Sequence, residues 1–392
     1  MSLLSFLKPA RRFVKGAVLG ATTLALASCD LPTGNSGQTI STSAPVPVAL
    51  LVPAGSNNAG DALLAQSLEN AARLAIADLD GVQIDLRVYA TAGDPATAQA
   101  SAIKAVDEGA KIILGPVFGE AANAAATAVA ARNVNVLSFS NNTTIAGGNL
   151  FVLGPTFGNT AERLVAYARA NDKTNIMSVY SENSSGQLGN QAIGAAIAAK
   201  GADNAGAVGY QFSQEGVIAA VSQIKLSAEQ SGADALFFTS NTSGALPLLT
   251  QLLPESGLGP DTIQYMGLTR WDIPAQTLEL PGVQGSWFAM PDPALTQQFQ
   301  NRYAQTYGGL PHPIGGLAYD GIAAIGALVK AGKKDALTTN ALTQGAGFQG
   351  VNGIFRLLSD GTNERGMAVA TIRDKKVVII DPAPTRFGGA GF

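Results

Sequence analysis

From residue 46 onward the apolar positions change their period at short intervals, and each change marks an element. Val46 to Val52 (VPVALLV) is an apolar run that reads as a buried strand, and Pro53 to Asp61 (PAGSNNAGD) is a loop of turn formers. Leu64, Leu68, Ala71, Ala72, Ala75, Ile76 and Leu79 then recur at steps of three and four. Glu69, Asn70, Arg73 and Asp78 occupy the opposite face, so the segment predicts an amphipathic helix that Gly81 ends. Val82 to Tyr89 alternates as a strand, and Asp94-Pro95 supplies an N-cap and first-turn proline for a helix ending at Gly109. Lys111 to Leu114 predicts a strand, Gly115 to Gly119 a turn into an alanine-rich helix, and Val134 to Phe139 another buried strand. Strands alternating with helices in this way imply a parallel sheet with crossover helices.

Leu150 to Pro155 (LFVLGP) runs a strand into Gly-Pro, after which the alternation starts again. The pattern predicts helix 159–171, strand 175–180, helix 187–200, strand 206–210, helix 215–231, strand 234–239, helix 243–253 and strand 262–267. Gly285 to Met290 leads into Pro291-Asp292-Pro293, a second point at which the chain changes sheets, followed by helices near 294–307 and 315–331. Ile354 to Leu358, and Met367 to Ile380 broken at Asp374-Lys375, read as antiparallel strands with a third crossover among them. The expected plan is therefore two lobes, one from 45–154 plus 290–347 and the other from 155–289 plus 348–382, with 383–392 as a flexible tail. Lobes that exchange strands leave a cleft between them, where small ligands usually sit.

The start of the chain reads as an address. Lys8, Arg11, Arg12 and Lys15 precede an apolar stretch, Gly16 to Ala27, too short to span a bilayer permanently. Leu26-Ala27-Ser28-Cys29 has the form of a lipobox, and Cys29 is the sole cysteine. Residues 1–28 are thus expected to be a lipoprotein signal peptide, with Cys29 lipidated. Residues 29–44, rich in Pro, Thr, Gly, Ser and Asn, are expected to form a flexible tether. This implies a protein in the periplasm, held by lipid at the inner or outer membrane of a Gram-negative bacterium.

The remaining 350 or so residues exceed the size at which one core usually stops growing. Net charge is −3, which offers no basic patch for nucleic acid. The lone cysteine excludes internal disulfides. His312, the sole histidine, lies between Pro311 and Pro313, so a catalytic triad or multi-histidine metal site has nothing to build on. Neither a phosphate-binding glycine loop nor a Gly-x-Ser-x-Gly turn occurs. No enzyme activity, cofactor or metal is expected.

Four stretches resemble the Leu/Ile/Val-binding family of periplasmic proteins. They are Leu74 to Leu79 (LAIADL), Asp94 to Gln99 (DPATAQ), Val106 to Gly119 (VDEGAKIILGPVFG) and Val136 to Ser140 (VLSFS), in family order and at family spacing. The resemblance implies an α/β fold of the two-lobed type I periplasmic-binding-protein kind, each lobe a mainly parallel sheet with flanking helices, joined by three crossover strands. It also implies a cleft that grips an amino acid by its charged head group, but the positions that would do so differ. The family's carboxylate-binding hydroxyls align with Gly119 and Asn142, with Thr143 one place further on. Its acidic residue aligns with Thr269, Asp272 being the nearest acid, and its aromatic wall aligns near Ser185 and Asn241 or Thr242. A buried ammonium without its carboxylate loses contacts of about 1.5–3 kcal/mol per hydrogen bond.

The chain is similar in these respects to the penicillin-binding protein activators, lipoproteins that use this scaffold to engage a peptidoglycan synthase. Leu280 to Phe288 (LPGVQGSWF) resembles their lobe-closing strand, while the helical-repeat domain of such activators has no counterpart in this sequence. The leading expectation is an activator with a peptidoglycan synthase as partner. The alternative is a substrate-binding lipoprotein that passes an amino acid, amide or short peptide to an ABC permease. Under either reading the candidate cleft residues are Gly119, Ser140, Asn142, Thr143, Ser185, Asn241, Arg270 and Trp271. Arg270 and Trp271 enter because they follow a strand at its carboxyl end, where open α/β sheets bind ligands, although Trp271 there also suits a cap on the lobe.

Overall fold

The chain's hydrophobic periods sort its strands into two parallel sheets, seen in a computed structural model that describes residues 36–388. The first lobe opens with β1 (Val46–Val52), α1 (Ala59–Ala77), β2 (Ile84–Ala90), α2 (Pro95–Asp107), β3 (Ile112–Leu114), α3 (Gly119–Val129), β4 (Asn135–Ser138) and β5 (Leu150–Val152). These strands form one parallel sheet in the order β2-β1-β3-β4-β5. Both faces are covered, which is why β1, β3 and β5 read as continuous apolar runs.

The second lobe follows with α4 (Phe157–Ala170), β6 (Asn175–Ser181), α5 (Ser184–Lys200), β7 (Asp203–Tyr210), α6 (Gln214–Ser231), β8 (Ala235–Phe238), α7 (Leu246–Glu255), β9 (Gln264–Gly267) and β10 (Trp287–Met290). The chain then returns to the first lobe as α8 (Pro293–Tyr307), α9 (Gly316–Lys330) and the short α10 (Thr339–Leu342). It closes with β11 (Phe348–Gly350), β12 (Gly353–Leu357), β13 (Asn363–Arg365), β14 (Ala368–Arg373) and β15 (Lys376–Asp381). The second sheet has the order β15-β14-β10-β9-β8-β6-β7, with only β14 and β15 antiparallel to their neighbours. Two apolar clusters flank each sheet, so each lobe has its own core. Three crossovers, after β5, after β10 and between β13 and β14, join the lobes.

Three boundaries differ from those expected. Residues 348–365 belong with the first lobe: β11 to β13 form a separate antiparallel sheet whose Phe348, Phe355 and Leu357 sit in the cluster with Val48, Leu68 and Ile322. The tether is shorter than its composition suggests, because Ser36 to Ile40 dock on that lobe. Ser36 Oγ donates to Asn135 Oδ1 at 2.7 Å, Ile40 N donates to Lys334 O at 2.9 Å, and the Ile40 side chain enters the core. At the other end Ala383 packs on the second lobe's core, and Phe387 lies under the Arg356 guanidinium at 4.6 Å. These apolar groups give residues 383–387 the burial that a free tail lacks. Cys29, the signal segment and residues 389–392 lie outside the described residues.

Candidate ligand cleft

Strands of a parallel sheet all end at one edge, so the loops that leave them gather there, and each lobe carries its candidate residues on that edge. In the first lobe β3 must turn sharply into α3. Gly115 does this with φ +84°, and a Cβ there would stand 2.2 Å from Leu51 O, so only glycine fits. The Phe118 N-cap offers no side-chain acceptor to α3, which starts at Gly119.

Beside that helix start, Ser138 Oγ donates to Pro116 O at 2.9 Å and accepts from Ser140 N at 3.1 Å. Ser140 Oγ in turn accepts from Asn142 N at 3.1 Å. A Cβ on Gly119 would lie 3.2 Å from Asn142 Nδ2 and 3.6 Å from Ser140 Oγ. Gly119, Ser140 and Asn142 therefore form one cluster. Asn142 Oδ1 also caps the next turn by accepting from Thr144 N at 3.0 Å, and Thr143 is exposed at the start of that turn.

The second lobe presents less chemistry. Ser185 is exposed in the first turn of α5, behind an Asn183 N-cap. Asn241 is exposed in the β8–α7 loop, where its carbonyl accepts from Gly244 N at 3.1 Å. Arg270 is partly buried, and its guanidinium forks onto Asp272, with Nε donating to Oδ1 at 2.9 Å. The nearest acid to the position where the family holds an ammonium is thus already paired.

Trp271 is not a cleft residue. Its side chain is 0 % exposed, packed at 5.9 Å from the Phe238 ring and laid over Gly267, where a Cβ would come within 2.4 Å of Nε1. The indole is the largest fully buried side chain of the lobe. Two residues that periodicity alone did not raise stand at the same edges: Phe118 on the β3–α3 turn is 39 % exposed and Phe212 on the β7–α6 turn is 65 % exposed. Their signal was an aromatic side chain inside a loop of turn formers.

Near the crossovers lies a buried ion pair. Arg365 donates Nε to Leu153 O at 3.1 Å and Nη1 to Asp320 Oδ2 at 3.3 Å. Asp320 Oδ1 accepts from Val351 N at 2.8 Å, and Asn352 Nδ2 donates to Asp320 Oδ2 at 3.3 Å. Burial pushes the Asp320 carboxyl upward, and Arg365 with the other donors pulls against it. Asn363 Nδ2 donates to Val152 O at 2.7 Å, and Arg163 Nε on α4 donates to Met367 O at 2.6 Å. The first and third straps are thus tied by side chains to a neighbour, while the second is met by a backbone bond from Asp292 N to Asn352 O at 3.3 Å.

His312 is held by its backbone, whose N–H donates to Ser67 Oγ at 2.8 Å, and burial lowers its pKa. Among the described residues no group of three His, Cys, Asp or Glu side chains is placed to hold a metal ion, and no helix is long and apolar enough to cross a membrane.

Solved structures share this architecture. A branched chain amino acid ABC transporter periplasmic ligand-binding protein from Burkholderia xenovorans superposes with a TM-score of 0.65 at 20% identity, over 88% of this chain and 97% of its own. An ABC transporter substrate-binding protein from Sphaerobacter thermophilus gives 0.66 at 17% identity, over 89% and 100%. A Desulfitobacterium hafniense ABC transporter substrate-binding protein in complex with Leu gives 0.61 at 17%, over 86% and 100%. No curated protein matches the sequence significantly. The family model described as periplasmic binding protein matches residues 45–376, which takes in all three crossovers and every strand but β15. On that match and this fold, the chain belongs to the periplasmic binding protein family.

Proposed function

We propose that this protein is a solute receptor of the periplasm that holds a small ligand between its lobes and presents it to an ABC permease. The observation that carries the proposal is the strand-exchanging pair of sheets, shared along nearly the whole chain with proteins described as ABC transporter substrate-binding proteins. The cleft edges fit a ligand unlike a free amino acid. Gly119 and Asn142 stand where hydroxyls would take a carboxylate, and Asp272 is engaged by Arg270 rather than free for an ammonium. The exposed rings of Phe118 and Phe212 favour an apolar or amide-bearing ligand at those edges. No catalytic step is assigned to it, and Cys29 is its proposed lipid anchor.

A second reading, an activator that engages a peptidoglycan synthase, draws on the same substitutions at Gly119, Asn142 and Thr269 and on the Leu280–Phe288 stretch. Thermal-shift titration with amino acids, amides, short peptides and cell-wall fragments separates the two. Stabilisation by one compound class that grows with concentration supports the receptor. No stabilisation, together with retention of a penicillin-binding protein on the immobilised body, would overturn it in favour of the activator.

A further inference from the structure

The second lobe contains three buried hydroxyls at the carboxyl ends of its strands. Ser181 on β6 is the register partner of Tyr210 on β7. The parallel pairing of β6 with β8 places Val179 opposite Phe238, and Ser181 N donates to Thr239 Oγ1 at 3.2 Å, which keeps the end of β8 beside β6. Two residues beyond that pair stand Ser181 and Ser240. Since side chains alternate along a strand, Ser181 and Tyr210 share the face of Val179 and Val208, both in one core cluster. Ser240, two residues past the end of β8, lies beside Tyr210, so the three form a row at the ends of neighbouring strands β7, β6 and β8.

The side chains are enclosed: Ser181 is 5 % exposed, Tyr210 2 % and Ser240 4 %. None of their hydroxyl oxygens has a hydrogen-bond partner among the described residues. Tyr210 and Ser240 lie near enough that the serine hydroxyl opposes the upward push of burial on the phenol, but not in hydrogen-bond geometry. Buried polar atoms in folded proteins are nearly always paired, and three neighbouring unpaired ones point to a guest that pairs them. The surroundings are apolar, so a charged guest would lose its hydration against nothing but hydroxyl dipoles. A neutral molecule that both donates and accepts would satisfy all three, and two to four polar partners are what a buried water takes.

We infer that Ser181, Tyr210 and Ser240 form a buried polar site at the carboxyl ends of β6, β7 and β8 in the second lobe, which binds a small neutral hydrogen-bonding guest, with water as its smallest occupant. Ser240 directly precedes Asn241 in the β8–α7 loop, and the site stands whether or not the cleft serves a permease.

The test pairs structure with stability. A crystal structure of the full soluble body, dialysed free of small molecules, is expected to show ordered density at about 2.6–3.2 Å from at least two of the three hydroxyls. Density in that state identifies water, whereas density that appears only after soaking with a neutral amide or polyol identifies a solute. Tyr210→Phe and Ser240→Ala are each expected to lower Tm by about 2–4 °C, the shift that follows from losing one partner in a domain of this size. Hydroxyls that bond only one another, with no density between them, would overturn the proposal, as would an unchanged or raised Tm in both variants.

Discussion

A tryptophan that follows a strand and stands next to an arginine reads the same in sequence whether it stacks on a ligand or fills a core, and only its neighbours decide. Trp271 lies over Gly267 and beside Phe238, so Trp271→Ala is expected to cost about 3–5 kcal/mol in urea denaturation, the range for removing a large buried aromatic. Ser185→Ala, on an exposed first turn, is expected to stay within about 0.5 kcal/mol. Equal effects would show that the indole is not a core element. Cys29→Ser is expected to move the protein from the membrane to the soluble fraction without changing its unfolding midpoint; retention in the membrane pellet would disprove the lipid anchor. The Ser181–Tyr210–Ser240 row was out of reach of the sequence because its third member joins through the pairing of β6 with β8, strands that are not consecutive in the chain. The Gly119–Ser140–Asn142 cluster was nearer to view, since β3 and β4 are consecutive and their exits fall side by side.

Elements with a buried face were legible to within a few residues, since burial itself writes the period. Helix α4 runs Phe157–Ala170 where the pattern gave 159–171, and α6 runs Gln214–Ser231 where it gave 215–231. Edge strand β7 begins at Asp203 rather than 206, because its first residues are largely exposed and carry no apolar signal. β11 and β13, three residues each, are too short to show any period. Their side with the first lobe rests on contacts of Phe348 and Phe355 that no local pattern contains.

Helix starts can be tested one at a time. Thr156 and Asn159 cap α4 reciprocally, Asn159 N donating to Thr156 Oγ1 at 3.2 Å and Thr156 N to Asn159 Oδ1 at 2.8 Å. Thr156→Ala is therefore expected to lower stability by about 0.5–2 kcal/mol, read as a drop in the urea midpoint at constant slope.

Asp78 joins three helices of the first lobe, accepting from Arg302 of α8 and, at 2.6 Å, from Tyr319 of α9. Burial would raise its pKa, but the two hydrogen bonds and the Arg302 charge outweigh that and hold the carboxyl below its usual range. A carboxyl depressed in the folded state stabilises above its unfolded pKa and loses that contribution as pH falls through the folded value. Asp78→Asn is expected to lower stability at neutral pH and to flatten the fall in Tm below about pH 4. An unchanged acid limb would show that the junction contributes nothing.

At the scale of the whole molecule, the buried Asp320–Arg365 pair sits where the straps between lobes meet. Removing one partner strands the other charge in an enclosed site. Asp320→Ala alone is expected to cost about 3–5 kcal/mol, while the double variant Asp320→Leu, Arg365→Met should recover most of that loss. If the double variant is as unstable as the single one, the pair is held by Leu153 and its other neighbours rather than by its own attraction. Small-angle scattering of the double variant gives a second reading. A broadened distance distribution at unchanged Tm would show that the pair restrains the angle between lobes rather than their stability.

The third passage between sheets has a bearing on the order in which the protein takes shape. Phe299, Ile322, Phe348 and Phe355 complete the apolar cluster begun by Val48 and Leu68, so the half that is synthesised first is finished by residues that arrive last. An N-terminal fragment ending at residue 290 would hold every strand of its parallel sheet and still lack α8 and α9, which share the cover of one side with α1. It should bind a hydrophobic dye and precipitate, whereas the full-length protein should do neither.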